Sequence, residues 1–144
     1  MKKYTTWLKT AAIFQFINVI IHTTSFFITP APNNETEKQL FTLMDTYQFD
    51  LGAGFHRTMS ELTLVFSACL GLVCLLGGLL NWYLLRKKIE PEIMKGVITI
   101  NLLVFGILFG LTATFAFLPP IILSGLIFLF LIVSRLTMTR RVNN

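Results

Sequence analysis

The sequence predicts an all-α protein, a four-helix transmembrane bundle with a short amphipathic helix in its first, outer loop. Three observations carry that expectation. Hydrophobic residues make up 54% of the 144-residue chain and charged residues only 13%, about half the charged share of an ordinary soluble domain; mean hydropathy is +0.71. Two runs, Leu62 to Leu85 and Gly96 to Ser134, hold no charged residue, and either exceeds the ~20 residues that cross a ~30 Å hydrocarbon core. The second run would be about 60 Å long as one helix at ~1.5 Å per residue, so it must fold back, and Pro119-Pro120 marks the place. With the apolar stretch from Trp7 to Thr29 this gives four spans, about 7–29, 57–85, 93–117 and 119–136, in a single membrane domain.

Helix one opens the chain. Met1, Lys2 and Lys3 before an apolar run have the outline of a secretory signal, but the run is too long and is interrupted by Gln15, Asn18 and His22, so a retained helix is expected. Gln15, Asn18, His22 and Ser25 are spaced 3, 4 and 3 apart, which on a helix makes one narrow polar stripe continued by Ala11 and Thr29. The helix is expected to stop at Thr29-Pro30-Ala31-Pro32.

The outer loop covers residues 30–58. Asn34 with Glu37 three residues later has the form of a capping box, with Asn in place of Ser or Thr. Leu40, Leu43, Met44 and Tyr47 follow at helical spacing, so residues 35–47 read as an amphipathic helix, lying on the bundle or in the headgroup region. It either ties two spans together or forms a lid over a ligand. Phe49 to Gly54 is expected to be a flexible re-entry segment, because its two glycines permit positive φ.

Helix two carries Ser60, Thr63, Ser67, Gly71, Cys74, Gly78 and Asn81 at spacings of 3 and 4, a stripe of small or weakly polar residues that lets membrane helices approach closely. Trp82 and Tyr83 mark the interface before the loop at 86–92. Helix three, led in by Pro91, contains Gly106-x-x-x-Gly110, a second close-packing site. Helix four follows the proline pair, is nearly featureless apart from Ser124 and Gly125, and is expected to face lipid.

Net charge is +5, but its distribution argues against a nucleic-acid partner. Lys2, Lys3 and Lys9 precede or open helix one, Arg86, Lys87, Lys88 and Lys95 sit between helices two and three, and Arg135, Arg140 and Arg141 follow helix four. With four spans these all lie on one side, against Lys38 and Arg57 on the other. The positive-inside rule then puts both termini and the 86–92 loop in the cytoplasm and residues 30–58 outside a cell membrane. Cys69 and Cys74, five apart, point roughly 140° from each other on a helix, too divergent for a disulfide.

Polar residues inside a membrane are expensive and mark function or packing. His22 falls in the outer half of helix one, at a depth that Ser60, Glu61 and Thr63 of helix two could share; Glu61 is the only acid inside an expected span. Three readings stay open. Gln15, Asn18 and His22 could fix helix packing while Glu61 pairs with Arg57 one turn earlier. The set Gln15, Asn18, His22, Ser25, Ser60, Glu61 and Thr63 could line an outward-opening pocket for a small lipophilic ligand. His22 and Glu61 could also act as an acid–base pair on a lipid-soluble substrate. No cofactor is implied, and His56 has no ligand-type neighbour at metal spacing.

Ile21-His22-Thr23-Thr24, the run Leu43 to Asp50, and Arg57-Thr58-Met59-Ser60-Glu61-Leu62 leading into Phe66-Ser67 resemble a family of small bacterial four-helix membrane proteins with no established activity. The likeness covers roughly residues 20–72. It implies an acid, often Asp, at the position of Glu61 and a His near the end of helix one, and it implies a bacterial inner membrane. The layout is also similar to sterol-isomerase-like four-helix proteins, but the second acid those enzymes use is missing from helices three and four. The expectation is therefore a small integral membrane protein with a polar pocket between helices one and two. The alternatives are a structural or assembly subunit, with Ser67, Gly71, Gly78, Gly106 and Gly110 packing helices within the chain or against a second copy or another membrane protein, and a lipid-active enzyme.

Overall fold

The computed structural model describes residues 3–28, 31–87 and 89–139, together with their side chains except those of Ser25 and Thr139. The expected stop at Thr29-Pro30, the basic residues Lys2, Lys88, Arg140 and Arg141, and the side chain of Ser25 lie outside the described residues. The order of elements is α1 (Lys3–Thr24), a 3-10 turn (Ser25–Phe27), α2 (Glu35–Thr46), β1 (Gln48–Asp50), β2 (His56–Thr58), α3 (Met59–Lys87), α4 (Pro91–Phe115) and α5 (Leu118–Thr139).

Two features correct the expected four-helix transmembrane bundle. Among the described residues three helices, not four, are long and apolar enough to cross a membrane: Met59–Lys87, Pro91–Phe115 and Leu118–Met138. They mark the chain as membrane-embedded. The first helix falls outside that set because its boundaries shift. It begins at Lys3, taking in Lys3, Thr5 and Thr6, and its α-helical part ends at Thr24, so that Phe26, Phe27 and Ile28, which the expected span included, are not part of it. The second correction is a paired hairpin where Phe49 to Gly54 is expected to form a flexible re-entry segment. β1 and β2 pair antiparallel with Gln48 opposite Thr58, Phe49 opposite Arg57 and Asp50 opposite His56. Its loop turns through positive φ at Gly52 (83°), Ala53 (52°) and Gly54 (80°), and Asp50 Oδ1 accepts from the Gly52 N–H at 2.8 Å. Glycine takes such angles without a Cβ penalty, and an Asp that bonds two residues on is a turn former. The strands themselves, Gln-Phe-Asp and His-Arg-Thr, show no apolar alternation.

The chain divides into two compact units, residues 1–19 with 74–144 and residues 20–73. In the first, the core is Leu8 and Ala11 of α1, Cys74 of α3, Met94, Ile98 and Phe105 of α4, and Ile127 and Leu131 of α5. The part of α1 within it turns Tyr4, Leu8, Ala11, Ala12, Gln15 and Asn18 inward and leaves Trp7, Ile13 and Ile17 outward. Ser134 Oγ donates to the Tyr4 carbonyl at 3.1 Å, and the Phe130 ring lies 5.9 Å from that of Trp7 and 5.3 Å from that of Phe14.

Helices α4 and α5 form an antiparallel pair with interlocking glycines and rings. A Cβ added at Gly106 would meet the Phe128 ring at 3.0 Å and one at Gly125 the Phe109 ring at 3.0 Å; the two rings stack at 6.0 Å. Thr112 Oγ1 and Ser124 Oγ share a hydrogen bond of 2.7 Å nearby. Helix α5 is therefore not the featureless lipid-facing helix expected: Ser124, Ile127, Leu131 and Ser134 are all buried. Proline at its first positions fits because those N–H groups have no helical partner to lose.

The second unit is built differently. It holds the last residues of α1, the 3-10 turn, α2, the hairpin and the first half of α3, and among its described residues only Gly71 is buried. Asn34 caps α2 as expected, accepting from the Glu37 N–H at 2.8 Å. The reciprocal half of the box is displaced by one residue, because Glu37 Oε2 accepts from the backbone N–H of Asn33 at 2.7 Å.

Candidate functional site

The polar residues of α1 fall in both units. In the first, Gln15 and Asn18 are fully or almost fully buried. Asn81 Nδ2 donates to Gln15 Oε1 at 3.1 Å and makes a longer contact of 3.5 Å with Asn101 Oδ1. Asn101 Nδ2 in turn donates to the Val97 carbonyl one turn back at 3.0 Å. Asn18 Nδ2 reaches Cys74 Sγ at 3.2 Å. Three helices are thus joined through side-chain amides in an otherwise apolar interior. Gln15 and Asn81 make one of the two reciprocal bonds that facing amides can form, leaving Gln15 Nε2 and Asn81 Oδ1 buried without a partner. Such orphan groups cost about 1–3 kcal/mol each, so this junction carries a desolvation cost.

Gly77 makes the junction possible. A Cβ at that position would lie 2.7 Å from Gln15 Nε2 and 2.9 Å from the Phe105 ring. Among the packing residues expected from the sequence, Gly78 is also close, its Cβ position 3.1 Å from the Phe16 ring, whereas Gly110 faces open space with nothing within 4 Å. The Gly106-x-x-x-Gly110 motif is therefore half used within the chain.

In the second unit, His22 Nδ1 and Ser67 Oγ are 2.8 Å apart, and both residues are half-buried. Gly71, one turn on from Ser67, lies under His22: a Cβ there would meet His22 Cβ at 3.7 Å, an ordinary contact. Glu61 has another task. Its Oε2 accepts from the Thr58 N–H at 2.9 Å while its own N–H donates to Thr58 Oγ1 at 3.2 Å, a reciprocal capping box that starts α3. Arg57, which one of the three readings pairs with Glu61, donates through Nη1 to the His56 carbonyl at 2.8 Å. Ser60 Oγ donates to Asp45 Oδ1, joining the first turn of α3 to the last turn of α2. Thr63 Oγ1 donates to the Met59 carbonyl at 2.8 Å.

Chemically, these are hydrogen bonds between helices, neutral except for the Asp45 carboxylate that accepts from Ser60, and caps at helix ends. Ser67 sits in the interior of α3, where the backbone N–H groups serve the helix, so none is offered to an oxyanion next to the Ser–His pair. Among the described residues no group of three His, Cys, Asp or Glu could hold a metal ion. A shallow groove runs along α2, lined by Glu35, Lys38, Gln39, Thr42 and Leu43.

Several participants escaped the sequence reading. Asn101 is the one amide in the uncharged run from 96 to 134, which the cost of burying an amide in a membrane should have flagged. Thr58-x-x-Glu61 has the full form of a capping box. Gly77 lies one position off the 3,4-spaced stripe, and the Asp45–Ser60 bond has no local signal. Comparison with known protein families, curated proteins and solved structures finds no match for this chain.

Proposed function

We propose that this protein is a structural membrane protein, a packing or assembly subunit of a larger membrane complex in a bacterial inner membrane. The observation that carries the reading is the pairing of the intramembrane polar side chains with one another. Gln15 with Asn81, Asn18 with Cys74 and His22 with Ser67 satisfy helix contacts, whereas a binding site would keep such groups available for a ligand. The exposed faces of α3 to α5 are almost entirely apolar, with Phe66, Leu72, Leu76, Ile100, Leu103 and Phe115 among the outward side chains, suited to lipid or to neighbouring membrane helices.

The orientation follows from charge. Arg86 and Lys87 at the end of α3, Lys95 in α4 and Arg135 in α5 belong at the cytoplasmic face, with residues 31–58 outside.

A second reading rests on one observation. His22 and Ser67 are only half-buried, unlike Gln15 and Asn18, so a small lipophilic ligand could displace their mutual bond. One experiment separates the two. Protein purified in mild detergent is analysed by native mass spectrometry beside a His22→Leu variant. The assembly reading expects a stoichiometric protein partner or defined oligomer in both samples. A defined small molecule on the wild type that is absent from the variant refutes it and establishes the ligand reading.

A further inference from the structure

The 12-residue helix α2 has no buried residue, yet one side of it is apolar. Leu40 and Leu43 stand more than half exposed, as does Tyr47 at the C-cap. Glu35, Lys38 and Asp45 fall on the opposite arc of the helix, and Glu37 lies at the flank between the two sides. Nearby, Leu51 and Phe55 in the hairpin loop are also more than half exposed. An apolar face of this kind in water would need a cover.

The hairpin limits what the cover can be. One residue, Tyr47, separates α2 from β1, and none separates β2 from α3. Gln48 pairs with Thr58, a separation of about 5 Å between facing Cα atoms, and the Ser60–Asp45 bond draws the last turn of α2 onto the first turn of α3. Helix α3 is membrane-length, and its uncharged run begins at Leu62, one turn into the helix. The C-terminal turn of α2 is thereby held at the point where a membrane helix leaves the bilayer. The Tyr47 ring meets Phe49 edge-on at 5.0 Å, and tyrosine favours that boundary because one end is apolar and the other wet.

We infer that α2 is an interfacial helix, with Leu40, Leu43 and Tyr47 laid into the headgroup–acyl boundary of the same bilayer that α3 crosses. The occupant is lipid, continuous with the lipid around α3. With one cation, Lys38, against three acids on the helix, the attraction is apolar and does not require anionic lipid. The inference is independent of the assembly reading.

The test uses the full chain in phosphatidylcholine nanodiscs, loaded at one protein per disc, with Cys69→Ala removing the exposed cysteine and the buried Cys74 left in place. A polarity-sensitive dye is attached at Leu43→Cys and, separately, at Lys38→Cys. The inference expects the dye at 43 to emit to the blue of the dye at 38, to be quenched by headgroup-proximal nitroxide lipid and to be shielded from aqueous iodide; the dye at 38 should show the reverse. Iodide quenching at 43 overturns the inference in favour of a solvated helix. Shielding at 43 from both quenchers also overturns it, in favour of a protein cover.

Discussion

Replacing Gly77 by alanine adds one methyl group at the crowded junction of α1, α3 and α4. The added Cβ would lie 2.7 Å from Gln15 Nε2 and 2.9 Å from Phe105, roughly 0.7 Å inside comfortable contact. Overpacking of this kind costs about 1–3 kcal/mol. Displacing Gln15 also weakens its bond from Asn81, worth about 0.5–1.5 kcal/mol. Against this, alanine gains about 1 kcal/mol over glycine in a helix. The expected net effect is a loss of about 0.5–3.5 kcal/mol. Gly71→Ala is the control, since its Cβ would meet nothing closer than 3.7 Å; it should be neutral or up to about 1 kcal/mol more stable. Reversible unfolding in mixed detergent micelles, followed by circular dichroism, reads both. A Gly77→Ala variant as stable as wild type would refute the packing geometry. Equal losses at both glycines would show that the small residues act through contacts outside the chain.

Three further outcomes follow from the geometry and the charge distribution. His22→Leu should lower stability by about 0.6–1.7 kcal/mol, the range for interhelical hydrogen bonds in membranes, in the same unfolding assay; no loss would point to a site kept for a ligand. Thr58→Ala removes half of the α3 capping box and should cost about 1 kcal/mol, seen as faster amide exchange in residues 59–62, whereas Arg57→Ala should leave that exchange unchanged. In intact cells a membrane-impermeant maleimide should label Thr36→Cys and not Glu90→Cys; the reverse pattern would invert the orientation.

Much of the architecture could be read from residues, and the failures have physical causes. The uncharged runs locate α3, α4 and α5, because a bilayer tolerates no charge there. Asn34 and Glu37 locate the start of α2, because caps are local chemistry. The stripe on α1 correctly ran through Ala11, Gln15 and Asn18 on its inward face. The sequence overstates that helix as a span, since Phe26, Phe27 and Ile28 extend the apolar run but lie beyond the end of α1. Glu61 falls within the candidate span Met59–Lys87, as its place in helix two implies, but its task is set by the residues just before that helix. The structure makes it the fourth residue of a cap, and the capping pattern was there to be seen. The partners of His22 and Gln15 depend on helix rotation, which spacing within one helix does not encode.

The central claim is that the buried polar side chains serve helix packing. It is tested most directly by a double-mutant cycle on Gln15 and Asn81, with Gln15→Leu, Asn81→Leu and the double variant unfolded in the same micelles. The account predicts a coupling energy of about 0.6–1.7 kcal/mol between the two positions. Strictly additive effects, within ~0.3 kcal/mol, would mean that the two amides do not hold α1 to α3, and the claim would fall.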